Sequence, residues 1–296
     1  MPLTALGLVL AAALLHARWN VLAKKAGGDT RFALLSGLAV ALVWAPVGLL
    51  LGRTVVPTWG LLEWGLLAAS AVTHVSYFVT LLRGYRLSDL TVVYPLARGT
   101  GPLLSSLAAV MFLGERLSLV GGLGVLVLVS GVFLVAGGPK LLRAAQHHDD
   151  PVARARVRRG VGYGVLTGGF IASYTLVDGY AVRMALLSPI LLDYFGNLLR
   201  LPLYAMAAWP QREGLWVEWQ RTWKPALAIG MLSPIAYTLV LYAMTLAPLS
   251  HVAPAREVSM LFAALIGGHL LGEGNRVWRV IGASMIACGV AALALG

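Results

Sequence analysis

Arg98 and Arg256 are where chemistry first shows in this chain, because each sits inside a stretch otherwise too apolar to hold a charge. Ionisable groups in such surroundings cost a few kcal/mol unless paired or hydrated, so each is a candidate for function by default. Arg98 lies about eight residues, or roughly 12 Å, into its stretch, too deep for its side chain to reach water easily. Arg256 lies about six residues into another. A proline precedes each, Pro95 and Pro254, and a proline can open a helix and free carbonyl groups toward a cavity. A buried guanidinium of this kind suits the carboxylate of a solute. The bland alternative is a structural ion pair, for which Glu257 is the neighbour at hand; Glu257 is equally a candidate for proton coupling.

The remaining candidates recur at helical spacing. His16, Asn20 and Lys24 follow every four residues, and so do Tyr174 and Asp178, which puts each set on one helix face. Asp178 could bind the amino end of a zwitterion, neutralise an arginine or carry a proton. His74 and Tyr77 stand one turn apart, and Tyr94, Tyr237 and Tyr242 add further aromatic groups that could stack on an organic solute and orient it through their hydroxyls. His74 is a second coupling candidate. Asp193, Asn197 and Arg200 form an i, i+4, i+7 stripe that reads as mutually satisfied structure. No cofactor is expected. The run His147, His148, Asp149, Asp150 reads as a solvated loop and no metal site is expected. Cys288 is the only cysteine, which excludes an intrachain disulfide framework.

The elements that must hold these residues are membrane spans. Of the 296 residues 59% are hydrophobic and only 12% charged, half the charge of an ordinary soluble domain. Tracts such as 33–52 and 117–138 carry no charge at all and approach the length that crosses a bilayer as a helix. Splitting the chain at charged and Pro/Gly-marked turns gives ten spans, near 3–23, 33–51, 60–82, 90–113, 117–137, 160–182, 187–209, 224–246, 250–271 and 277–295. The apolar run at 3–15 reads as the start of the first span and not as a secretory leader, since no positive charge precedes it. The expected fold is an all-α integral membrane protein: a first five-helix repeat at 1–137, a basic linker at 138–159 and a second five-helix repeat at 160–296.

The net charge of +11 could point to nucleic acid, but no nucleic-acid partner is expected because the charge follows the membrane. Loops on one side of the spans carry 16 Lys and Arg, six of them in the linker, while the other side carries only Arg53, Arg116 and Arg183. Lys and Arg resist translocation, so the first side is expected to be cytoplasmic and both termini outside.

The halves repeat. The segment RGTGPLLSSLAAVMFLGE at 98–115 aligns without gaps on REVSMLFAALIGGHLLGE at 256–273, with six of 18 positions identical. The same offset of 158 pairs Gly124 with Gly282, Gly131 with Gly289, Asn20 with Asp178 and His16 with Tyr174. Five spans are an odd number of crossings, so the second copy must enter from the opposite face: an inverted repeat, of the kind that places a site near the midplane and alternates access by rocking. The glutamates of the Gly114–Glu115 and Gly272–Glu273 pairs are each expected to cap the helix that follows. Gly160, Gly164 and Gly168 form a small-residue stripe for close helix packing.

The 5+5 layout, the two Gly-Glu pairs ending the fourth span of each half, the Gly-spaced span after them and the first-span residues Trp19, Asn20 and Lys24 resemble the drug/metabolite transporter superfamily, specifically its EamA-type members. The first span is more polar than that family's usual pattern. The resemblance implies secondary transport, often efflux, of small metabolites without nucleotide hydrolysis. The expectation is then a transporter, exporting a polar or zwitterionic metabolite such as an amino acid, whose partners are that solute, membrane lipid and protons. It would lie as a multi-pass protein in the plasma membrane, the inner membrane of a bacterium. A lipid-linked or aromatic solute is the alternative. An intramembrane enzyme is disfavoured because no Gly-x-Ser-x-Gly, His-Glu-x-x-His, P-loop or paired-carboxylate motif occurs, and a passive assembly subunit would need no duplicated polar faces.

Overall fold

A computed structural model describes residues 1–26, 29–136, 151–262 and 276–296. Every long element among them is helical: α1 (Leu3–Ala26), α2 (Thr30–Val43), α3 (Ala45–Val55), α4 (Leu61–Leu87), α5 (Leu90–Phe112), α6 (Leu119–Val135), α7 (Pro151–Arg183), α8 (Pro189–Ala208), α9 (Leu215–Leu246), α10 (Leu249–Ala255) and α11 (Arg276–Leu295). Large apolar side chains cover the outside, Leu3, Leu61 and Leu119 each being more than four-fifths exposed. A surface this apolar is stable against lipid and not against water. The chain is an integral membrane protein.

Among the described residues, three stretches are long and apolar enough to cross a bilayer: Leu61–Leu87, Arg154–Arg183 and Pro189–Leu246. The last runs to 58 residues, roughly 87 Å as a straight helix and far more than one crossing needs. It is broken by a short 3-10 segment at Trp209–Gly214, where Gln211 leaves helical geometry with φ −118°, and α8 packs beside α9. The pair Thr30–Val43 and Ala45–Thr58 qualifies together, bent by 66°. Pro46 explains the bend: it supplies no N–H to the turn before it and disfavours helical geometry at Ala45. Leu3–Trp19, Leu119–Val135 and Val280–Leu295 are shorter apolar helices.

Three expectations are corrected. The basic linker was expected to run to 159, but α7 begins at Pro151: proline suits a first helical turn, and the Ala and Arg that follow are strong helix formers. Arg156 then pairs with Asp89 at 2.9 Å, and its carbonyl accepts from Ser88 Oγ at 3.0 Å. Pro95 does not open its helix, since α5 runs unbroken through it, whereas α10 ends one residue after Pro254, in a turn at Arg256 and Glu257. Glu115 does not cap the helix that follows it. Ser118 does that, its Oγ accepting from Gly121 N at 2.9 Å. Gly114 turns the chain in the left-handed region at φ +65°, and the Glu115 carboxylate reaches the other half instead, accepting from Leu249 N and Ser250 N at 2.8 Å and pairing with Arg183. The Gly272–Glu273 pair and the His147–Asp150 run lie outside the described residues.

Helix α1 packs on α9 and α4 on α7; α2 packs on α8 and on α9, and α4 on α8; α6 packs on α11. The α6–α11 seam brings two backbones together. A Cβ on Gly131 would stand 2.6 Å from Gly282 O, and one on Gly289 would stand 2.7 Å from Gly124 O. Only glycine lets two backbones approach so closely. The Gly160, Gly164, Gly168 stripe faces α5, where a Cβ on Gly168 would come 1.9 Å from Thr100 Oγ1.

Candidate functional site

Helices α4, α7, α9 and the turn after α10 bring their polar residues into one buried cluster. His74 of α4 stacks on Tyr174 of α7, ring centroids 3.9 Å apart, and meets Tyr237 of α9 edge-on at 5.7 Å. Its Nδ1 lies 2.9 Å from Ser70 O. A carbonyl only accepts, so Nδ1 carries the hydrogen and the lone pair of the neutral ring belongs to Nε2. That nitrogen points at Asp178, 4.0 Å from Oδ2.

Asp178 is 1% exposed. Its Oδ2 accepts from the Tyr237 hydroxyl, while Oδ1 has no hydrogen-bond partner among the described residues. A buried carboxylate oxygen without a donor is costly. Asp178 and His74 Nε2 therefore form a paired acceptor site able to hold one proton or one donor group.

The arginines lie close by. Arg256 is held by weak contacts, its Nη2 lying 3.5 Å from both Tyr174 OH and Thr175 Oγ1, with the Tyr174 ring 5.8 Å from the guanidinium carbon. Its nearest carboxylate contact is Glu257 Oε1 at 3.8 Å from Nε. Glu257 is also engaged by Arg98, whose Nη1 lies 3.5 Å from Oε1 and 3.4 Å from Oε2. Two buried guanidiniums thus share one carboxylate. Neither is fully compensated at hydrogen-bond distance, and a second carboxylate would be stabilised there.

The structure thus brings together Arg98, Arg256, Glu257, His74, Tyr174, Asp178 and Tyr237. Tyr77 joins them edge-on to Tyr174 at 5.8 Å. Tyr94 lies under Arg98 at 5.8 Å and donates to Met260 Sδ at 3.1 Å. His16 of α1 packs edge-on against Trp19 at 4.6 Å; the Asn20 side chain lies outside the described residues. Tyr242 is 39% exposed on α9 and stands apart from the cluster. On α8, Arg200 Nη2 pairs with Asp193 at 3.3 Å while its Nε has no hydrogen-bond partner among the described residues, and Asn197 donates outside the stripe, to Gly37 O at 3.0 Å. Sequence reasoning missed Ser70 and Thr175, small hydroxyl residues that carry no signal until a neighbour needs them.

Comparison with known proteins agrees with this architecture. A solved crystal structure of a protein superposes over 100% of this chain and 98% of its own, with a TM-score of 0.75 at 17% identity, a likeness of fold. No curated protein matches the chain. The model of the EamA-like transporter family matches residues 158–295, which span α7 to α11. The second half of the chain thus matches the EamA-like transporter family, a family of membrane transporters, and that match supports an EamA-type protein of the drug/metabolite transporter superfamily.

Proposed function

We propose that this protein is a secondary transporter, working as an exporter, of a small zwitterionic metabolite such as an amino acid. It crosses the membrane ten times as two inverted five-helix repeats and alternates access between them. The packing supports the inversion. The sequence pairs Gly124 with Gly282 and Gly131 with Gly289, and the contacts run crosswise, Gly124 to Gly289 and Gly131 to Gly282. Crosswise contact between mates is the signature of a two-fold axis, and it makes α6 and α11 antiparallel. Likewise the α1–α9 contact has α4–α7 as its mate, and α2–α9 has α4–α8.

The observation that carries the solute class is the pairing, within one buried cluster, of an under-compensated Arg256 with an Asp178 whose Oδ1 has no donor among the described residues. A solute carboxylate completes the first and a solute ammonium completes the second. The acceptor pair of His74 Nε2 and Asp178 is the coupling site: a proton taken there when the solute leaves neutralises the carboxylate for the return step. The stacked rings of His74 and Tyr174, with Tyr77 edge-on to Tyr174, also favour an aromatic side chain on the solute.

Proteoliposomes loaded with an amino-acid mixture and placed in a pH gradient test this. Gradient-driven solute movement is expected from the wild type. Asp178→Asn is expected to lose the dependence on the gradient, and Arg256→Ala to lose transport by about a hundredfold, as removal of a desolvated charge contact implies. Movement of amino acids unchanged in both variants would sink the assignment.

A further inference from the structure

We infer that the ends of α1 and α9 form a binding site for the headgroup of an anionic phospholipid. A half-open cavity of about 470 Å³ lies there, lined by Leu22, Ala26, Pro225 and Ala228 on its apolar side and by Arg221 and Lys224 on its polar side. It is separate from the buried cluster, and its volume suits a headgroup with the first part of its acyl chains.

The charge around it is unbalanced in favour of an anion. Arg221 donates to both oxygens of Glu218 at 2.9 and 3.0 Å, but Arg31 approaches the same carboxylate at 3.7 Å and also pairs with Asp29 at 2.8 Å. Two carboxylates are thus shared by two arginines. Among the described residues Lys224 has no carboxylate partner, its ammonium lying 5.4 Å from the centre of the Trp223 ring. These charges lie on the side of the membrane that the Lys and Arg distribution makes cytoplasmic, where anionic lipid is attracted to basic clusters.

Depth argues for lipid over a soluble anion. The first turns of α9 carry Trp216 and Trp223, 67% and 41% exposed, and Trp209 just before them is 63% exposed. Exposed indole rings gather at the headgroup level of a bilayer. The cavity therefore sits where a lipid phosphate lies, with its apolar wall toward the acyl chains.

Native mass spectrometry of the full-length protein in detergent tests this, with phosphatidylglycerol and phosphatidylcholine of identical chains as probes. The wild type is expected to retain phosphatidylglycerol over phosphatidylcholine. Lys224→Gln is expected to weaken retention about fivefold, the effect of one cation at an anionic surface. Ala228→Phe keeps every cation but fills the apolar side, and is expected to lose retention as well; both positions are peripheral to the packed core, so folding is preserved. Equal retention of the two lipids, or wild-type retention in both variants, overturns the proposal. So does full displacement of the lipid by equimolar inorganic phosphate, which would make the site one for a free anion.

Discussion

The α6–α11 seam and the buried cluster of α4, α7, α9 and the turn after α10 are both places where the two halves meet, yet they are built oppositely. At the seam the glycines that the sequence offset of 158 pairs, Gly124 with Gly282 and Gly131 with Gly289, touch crosswise: Gly131 on Gly282, Gly289 on Gly124. In the cluster the mates have diverged. Tyr174 stands where the first half has His16, and Asp178 where it has Asn20; the second-half residues meet His74 and Tyr237. Packing needs only that two backbones fit, so duplication can keep it unchanged. Recognition of an asymmetric solute needs different groups on the two sides of an axis, and on the proposed reading the cluster supplies them.

The sharpest way to break this contrast is at Glu257, which is 1% exposed and shared by Arg98 and Arg256. Glu257→Gln leaves two buried guanidiniums without a carboxylate among the described residues and is expected to cost about 3–5 kcal/mol. Adding Arg98→Met removes one of those charges and should recover part of the loss. Unfolding in detergent followed by intrinsic fluorescence reads both. A Glu257→Gln protein as stable as wild type would mean that the cluster is hydrated and not buried.

At the seam the effect is steric. Gly131→Ala places a methyl against the Gly282 carbonyl and is expected to destabilise by about 1–3 kcal/mol, the usual range for overpacking. If the two-fold relation holds, Gly289→Ala, whose added carbon meets Gly124 O, should cost a similar amount. A large difference between the two would show that the seam is not symmetric.

These contrasts also mark what the sequence could disclose. The glycine pairs and the charge-free tracts were legible because periodicity and repetition belong to one chain read in order. The gathering of Arg98, Arg256 and Asp178 was legible in part, since a buried charge announces itself wherever it stands in an apolar run. The role of Glu115 was not. Its position after Gly114 marks a turn, but its hydrogen bonds go to Leu249 and Ser250, more than 130 positions away, and Arg183, its ion partner, is one of the three basic residues on the sparse side. Nothing local encodes a cap supplied by the other half. The His74–Asp178 pair was hidden for the same reason: each was suspected, but only the packing of α4 on α7 made them neighbours.

Divergence between the halves extends to their first turns, and there the expected effect is smallest. Asp29 caps α2, its Oδ1 accepting from Arg31 N at 2.9 Å and Phe32 N at 3.2 Å while Oδ2 holds the Arg31 guanidinium. At the corresponding turn Ser188 begins α8 with no side-chain cap bond. Asp29→Ala should cost about 1 kcal/mol, and Ser188→Ala less than about 0.5 kcal/mol. The pH dependence separates the two further. Partial burial works to raise the Asp29 pKa, but the hydrogen bonds and charge of Arg31 outweigh it and hold the carboxyl below its usual value. A group whose pKa is depressed by folding stabilises above its unfolded pKa, near 3.9, and loses that stabilisation as pH falls through the folded value. The gap in melting temperature between wild type and Asp29→Ala should therefore hold steady from neutral pH down to about pH 5 and close below about pH 4. The gap for Ser188→Ala should show no such slope. Equal slopes for the two would mean that the first-half turn owes its stability to something other than its carboxylate.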